Sequence, residues 1–162
     1  MSEYLLNEFS FQMPEGLKDK TNHIFALTDD GPSEFNIVVS RSPIDARETM
    51  GSYRFRLKQE LSRALAGFNL LSEREITLDG SPALELRFQW FLQGRPMHQT
   101  QVSFFQQIED DPRLVVQIAG TVDGAQPGRW EEPFQKMLST VVLRGKAQQP
   151  LAPVIPLYPT TY

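Results

Sequence analysis

The sequence predicts an α+β fold: a largely antiparallel sheet carrying one main helix and a shorter C-terminal helix. Three observations lead there. Short runs of alternating apolar and polar residues fill most of the chain, as half-buried strands require. The period switches to that of a helix in one long stretch and one short one. The strand-like runs follow one another across tight Gly, Asp and Pro turns, too short for the crossovers that parallel strands need.

Residues 4–13 read as one strand, with Phe9, Phe11 and Met13 on one side and Pro14-Glu15-Gly16 closing it. Residues 21–28 (TNHIFALT) and 35–41 (FNIVVSR) are two more, joined through Asp30-Gly31, so that the first strands form an antiparallel meander. From about Asp45 to Phe68 the residues Tyr53, Leu57, Leu61, Ala64, Leu65 and Phe68 recur at helical spacing, and Gly67 and Asn69 supply the stop. A narrower stripe of Phe55, Gln59, Ser62 and Ala66 lies on the other side of that helix. Residues 69–78 are a strand, Asp79-Gly80 a turn, 82–93 and 96–108 a long hairpin, and 114–122 a further strand. Arg129 to Thr140 reads as a short helix with Trp130, Phe134, Met137 and Leu138 on one face, and 141–145 as a last short strand or extension. The helices are expected to cover one side of the sheet.

These elements make a single domain over residues 1–145, followed by a Pro-rich tail, 146–162. Its prolines at 150, 153, 156 and 159 match the three-residue turn of polyproline II, which would align Leu151, Val154 and Leu157 along one edge. Such a tail reads either as a strap on its own domain or a second subunit, or as an arm for a Pro-binding partner.

Composition excludes several functions. A net charge of −4, with no cluster of Lys and Arg, argues against a nucleic-acid partner. The absence of cysteine removes thiolate catalysis and Cys-bearing zinc sites. The N-terminal stretch lacks the basic and apolar regions of a secretory signal, and no apolar run approaches the ~20 residues of a membrane span; a cytoplasmic protein without direct membrane insertion is expected. His23 and His98 stand in strand-like stretches with no partner spacing. The acidic pairs Asp29-Asp30 and Asp110-Asp111 precede Gly31 and Pro112, where turn chemistry accounts for them. No enzyme motif, cofactor site or metal site is predicted.

What remains is an unusual pair of strand faces. In the hairpin, Leu84, Leu86, Phe88, Trp90 and Leu92 form a core face. The other face reads Glu85, Arg87, Gln89, Phe91 and is expected to continue as Gln99, Gln101, Ser103 and Phe105. The earlier strands are apolar on both sides. One side must pack on the main helix; the other either forms an exposed binding patch or is covered by the tail or the final helix. Gln89, Gln99, Gln101 and Gln117 add hydrogen-bonding groups that avoid the desolvation cost of a charge.

The stretches FSFQMPEGLKDKTNHIFAL, FNIVVSR, YRFRLKQELSRALAGFNLLSE and LDGSPALELRFQWFLQGRPMHQTQVSFF, in that order, resemble the DcrB-like group of the Mog1/PsbP-like fold. Within it, the chain is similar to the effector-associated (Eag-type) chaperones of bacterial type VI secretion over about residues 5–143. The resemblance implies a homodimer with a concave surface and no enzymatic activity. It would hold the hydrophobic N-terminal segments of an effector in the cytoplasm and help deliver it to the secretion spike. On that reading the effector cradle is Ile24, Ala26, Ile37, Val39, Gln59, Ala66, Gln89, Gln99 and Gln101. Two other readings stay open: a carrier or sensor of a small apolar ligand, and a Mog1-like regulatory partner of a folded protein, for which Arg54 and Arg56 would matter.

Overall fold

The computed structural model describes residues 2–6, 8–107 and 113–144; the Pro-rich tail lies outside them. The predicted class is the one observed. A six-stranded sheet, entirely antiparallel, has the order β3 (His23–Ala26), β4 (Phe35–Pro43), β8 (Leu114–Val122), β7 (Arg95–Gln106), β6 (Ser81–Leu92), β5 (Asn69–Leu78). The single strand expected over 4–13 is instead a small hairpin of its own, β1 (Ser2–Leu5) and β2 (Ser10–Met13). It folds back because the Leu6 N–H donates to the Phe9 carbonyl at 2.8 Å. The Tyr4 hydroxyl then ties it to Asp19 and Thr21, both at 3.0 Å.

Two turns set the register of the long strands. Asp79-Gly80 (φ 47° and 74°) joins β5 to β6, and Gln93-Gly94 (φ 50° and 77°) joins β6 to β7. Both central residues have positive φ, the geometry that matches the twist of a two-residue hairpin. Leu78 therefore faces Ser81, and Leu92 faces Arg95.

The main helix, α1 (Met50–Ala64), is shorter than the 45–68 predicted. It starts at Thr49, whose hydroxyl accepts the Ser52 N–H at 3.1 Å while Ser52 Oγ accepts the Thr49 N–H at 3.1 Å. This reciprocal pair satisfies two donors of the first turn. Asp45 is spent one turn earlier, accepting the Arg47 N–H at 2.8 Å. At the far end Gly67 turns with φ 64°, and the Ala66 carbonyl accepts the Phe91 N–H at 2.8 Å, pinning the helix exit to the end of β6. A 3-10 turn (Gly128–Trp130) leads into α2 (Glu131–Ser139).

The two helices lie on opposite faces of the sheet, not on one side. Tyr53 and Leu57 of α1 pack on Leu84, Leu86, Phe88 and Trp90. Phe134 and Leu138 of α2 pack on Ala83, Val102, Phe104 and Ile118. Those positions alternate along the strands, so each core owns one face. The physical reason is that the even positions of β6 and those of β7 and β8, among them Leu84, Leu86 and Phe88 on one face and Val102, Phe104, Val116 and Ile118 on the other, are apolar, and each set demands cover. Leu92, expected in the core, sits at the hairpin turn and is 45% exposed. Residues 141–144 form no strand; the Leu143 N–H donates to Asp79 Oδ2 at 2.9 Å, and Val141 and Leu143 pack beside the α2 core.

The α2 face carries a buried ion chain. Glu85, 1% exposed, accepts from Arg74 at 2.8 Å and Arg87 at 3.1 Å, and Arg87 also reaches Glu131 at the start of α2 at 2.6 Å. Burial alone would raise the Glu85 carboxyl; the two guanidiniums outweigh it and hold the group below the ordinary carboxylate range. His98 is buried on the same face, and burial, then the Arg87 charge, push its imidazole down, against a smaller upward pull from Glu131.

Two outcomes are expected. A Cβ at Gly120 would lie 2.9 Å from the Phe134 ring, so Gly120→Ala should cost about 1–3 kcal/mol by overpacking, read from urea midpoints. Folded His98 refuses a proton that the unfolded chain accepts below the ordinary pKa of 6.5. Its contribution is therefore present at neutral pH and lost as pH falls through 6.5. His98→Gln should flatten the loss of stability between about pH 7 and 5.

Candidate functional site

α1 does not span the face it covers. On one flank Arg54 and Lys58 pair with Glu73 of β5 at 2.9 and 3.0 Å. On the other, α1 and its core cluster reach only Val115 and Gln117 of β8. Among the described residues, no side chain of β3 or β4 joins the α1 core. Along the strip over β8, β4 and β3, Val38, Ala119 and Thr121 are half-buried, and at its edge Ile24 is 67% exposed.

Register shows what the strip is made of. Ile24 faces Val38, Val38 faces Ala119, Ala119 faces Gln101 and Gln101 faces Leu86. A parallel row runs Ala26, Asn36, Thr121, Gln99, Phe88. A third runs Ser40, Gln117, Ser103, Leu84. Apolar side chains from both ends meet a band of amides and hydroxyls in the middle. On this face the strand positions of β3, β4 and β8 carry no charged residue, and on β7 the charge is confined to Arg95 at the hairpin turn, which pairs with Asp123 at 2.9 Å.

The band is hydrogen-bonded internally. Thr121 Oγ1 donates to Gln99 Oε1 at 3.2 Å, and Gln99 Nε2 donates to Gln101 Oε1 at 3.0 Å. Ser40 Oγ donates to Gln117 Oε1 at 3.4 Å, Gln117 Nε2 donates to the Tyr53 hydroxyl at 2.6 Å, and that hydroxyl donates to Ser103 Oγ at 3.2 Å. Burial pushes the Tyr53 phenol up, above its ordinary value of 10.0, although bonds from Ser103 and Gln117 oppose it, so the network stays neutral. Such groups can exchange hydrogen bonds with a guest without stripping water from a charge.

The structure divides the nine residues read as a cradle. Ile24, Ala26, Gln99 and Gln101 share this face. Ile37 and Val39 point the other way and pack against the α2 core. Gln89 also lies on the α2 face, opposite His98, and donates to the Ala125 carbonyl at 2.6 Å. Gln59 sits on the exposed back of α1 with Phe55, which is 63% exposed, and Ala66 lies exposed in the turn after the helix. The correction has a simple cause. Across the two-residue Gln93-Gly94 turn, odd-numbered positions face even-numbered ones, so Gln99 and Gln101 stand opposite Phe88 and Leu86 rather than continuing the Glu85 row. The face opposite the main helix is not spare either, since α2 fills it; the vacancy is on α1's own side. Val38, Ala119, Thr121 and the bonds of Tyr53 and Ser40 to Gln117 escaped the sequence reading; counting parity through that turn places Gln99 and Gln101, but these others depend on the β4–β8 and β7–β8 pairings. His23 is exposed on β3, and among the described residues no group of His, Asp and Glu could hold a metal ion. Nor is any described helix long and apolar enough to cross a membrane.

A family model described as DcrB matches residues 8–142. The chain belongs to the DcrB family. It is 28% identical over 145 residues to a Pseudomonas aeruginosa protein named Effector EagT6, covering 89% of this chain and 97% of that one. The Eag resemblance drawn from the sequence therefore has a full-length counterpart. The crystal structure of PA94, a Pseudomonas aeruginosa protein of unknown function, superposes with a TM-score of 0.69 at 28% identity, over 89% of this chain and 97% of that chain. LpqN of Mycobacterium tuberculosis aligns at a TM-score of 0.47 and 14% identity, covering 77% of this chain and 82% of its own. In this DcrB-family domain the neutral band is a structural part as well as a surface. Tyr53→Phe would leave Gln117 and Ser103 short of a partner and should cost about 1–2 kcal/mol in thermal or urea unfolding, with the helix content unchanged.

Proposed function

We propose that this DcrB-family protein is an Eag-type chaperone. It binds and shields the hydrophobic N-terminal segments of a type VI secretion effector in the cytoplasm, acting as a homodimer, until the effector loads onto the secretion spike. It acts by binding and not by catalysis. The observation that carries the reading is the charge-free strip over β8, β4 and β3, apolar at Ile24, Ala26, Val38 and Ala119 and lined by Gln99, Thr121 and Gln117 along its inner side. Kinship with EagT6 supports it.

The dimensions suit such a guest. Strands of nine residues, as in β4 and β8, run about 30 Å, the length of a 20-residue helix. Where the four-residue β3 flanks them, over about 13 Å of that length, the three strands present a width of about 10 Å, close to one helix diameter. Apolar contact would hold the guest, while the neutral amides meet its backbone or hydroxyl groups at little desolvation cost, which keeps release feasible. A charge-led contact through Arg54 and Arg56 has less support, because Arg54 is engaged by Glu73, and Arg56 by Glu48 and Glu60.

Adjacent residues separate binding from folding. Val38→Asp should abolish co-purification with the effector's apolar N-terminal region while the circular dichroism spectrum and unfolding midpoint stay near wild type. Val39→Asp, aimed into the α2 core, should instead lower stability by about 2 kcal/mol or more. Undiminished effector capture by a folded Val38→Asp protein would refute the reading.

A further inference from the structure

Residues 145–162 follow the folded domain, and after Lys146 none of them carries a charged side chain. Their prolines at 150, 153, 156 and 159 recur with the period of polyproline II. That helix makes no internal hydrogen bonds, and proline has no N–H, so such a segment offers carbonyl acceptors in excess of donors. Its other edges are apolar: Leu151, Val154 and Leu157 on one, Ala152, Ile155 and Tyr158 on the next. The surface it fits combines apolar contact with neutral donors and avoids charge.

The strip beside α1 is such a surface. Ile24, Val38 and Ala119 supply the apolar contact. A primary amide carries two N–H bonds, and Gln99 and Gln117 each spend one within the fold, on Gln101 and on the Tyr53 hydroxyl. Gln101 is 5% exposed, and its oxygen accepts from Gln99, yet among the described residues no acceptor takes its Nε2 hydrogens. A buried amide with an unpaired donor calls for an acceptor from elsewhere. Other exposed surfaces fit less well: β5 carries Glu73, Arg74 and Glu75, and the back of α1 carries Arg56, Glu60 and Arg63. We propose that residues 150–158 lie along this strip of their own chain, as a strap that a guest segment must displace.

The point of exit and the lengths agree with this placement. The Leu143 N–H is bonded to Asp79, and the Arg144 carbonyl accepts from Gln106 Nε2 at 2.7 Å. Gln106 faces Leu114, and Leu114 faces Pro43, so the chain leaves the domain at the strand ends where the strip begins with Ser42 and Val115. It leaves on the α2 side and must round those ends. Residues 145–149 reach about 17 Å when extended, against about 10 Å between packed layers and about 5 Å to the next strand. Residues 150–158 then run about 28 Å as polyproline II, and the nine-residue strands β4 and β8 run about 30 Å. A tethered strap has an effective concentration on the order of 1 mM. A contact of only about 0.1 mM affinity therefore stays closed about ten to one and weakens a guest's apparent affinity about tenfold. The contact rests on the chemistry of the strip, and its role as a gate rests on the chaperone reading.

The chain has no cysteine, so Ala152→Cys gives the full chain a single site for a nitroxide spin label. The methyl signals of Ile24, Val38 and Ala119 are expected to broaden several-fold more than those of Leu71 and Ile76 on β5. Adding Val154→Asp and Leu157→Asp should remove that difference. The same pair of substitutions should raise the affinity for a fluorescent Leu-Ala helix of about 20 residues by about tenfold, with the circular dichroism spectrum unchanged. Equal broadening of β5 and the strip would overturn the strap. So would broadening seen only when spin-labelled chains are mixed with isotope-labelled ones, which puts the tail on a second copy. Unchanged peptide affinity in the tail variant would overturn its role as a gate. A strip broadened by the tail, with no binding of the peptide to either protein, would uphold the contact and refute the chaperone reading instead, so the two failures are told apart.

Discussion

Six hydrogen-bonded strands spaced about 4.8 Å apart make a sheet about 24 Å wide, and one helix with its side chains covers only about 10 Å of it. The whole arrangement turns on this mismatch. Each face of the sheet receives a single helix, and each helix must leave part of its face to something else. On the α2 side the chain itself closes the remainder as far as β4: Trp130 stacks on Phe35 at 4.8 Å between ring centroids, Val141 and Leu143 pack at the margin, and Arg87 links the sheet to Glu131. On the α1 side the described residues provide no such closure beyond β8.

The two faces therefore have different chemistry for a physical reason. Glu85 can be buried under α2 because two guanidiniums meet it within the fold, and a buried charge without such partners would be prohibitively costly. A face that receives a guest, as proposed for the α1 side, could not use that solution, since its charges would lose water on each binding event. The polar groups on the α1 side are amides and hydroxyls that bond to one another, as Gln99 does with Gln101 and Thr121. Such a surface tolerates both states at small cost.

Tyr53 links fold and surface. Its ring is buried in the α1 core, while its hydroxyl bonds to Gln117 and Ser103 at the border of the open strip. The helix thus sets the position of the nearest amide, and the strip begins where the helix stops. A guest lying over β8 and β4 would rest against a rim held in place by the protein's own core, which is how a rigid element positions a binding surface.

Much of this was legible in the residues alone. Period and turn chemistry located β3 through β8 to within a few residues, because alternation and Gly-bearing turns are local properties of the chain. The α+β class followed from the same signals, while the family resemblance rested on the ordered stretches themselves, such as FNIVVSR and LDGSPALELRFQWFLQGRPMHQTQVSFF. The helix stripe of Tyr53 and Leu57, and the neutral character of Gln99, Gln101 and Gln117, could also be read directly. What the residues did not decide is which face each of them joins. That depends on register across turns and on strands far apart in sequence: a two-residue loop puts Gln101 beside Leu86, and the pairing of β4 with β8 puts Val38 beside Ala119. Nor could periodicity say that α2 crosses to the far side, since the stripe of Trp130, Phe134 and Leu138 is the same whichever face of the sheet it meets. A side chain's type is written in the chain one residue at a time. Its neighbours are set by non-local pairing, and a one-residue difference in register moves a whole row from core to surface.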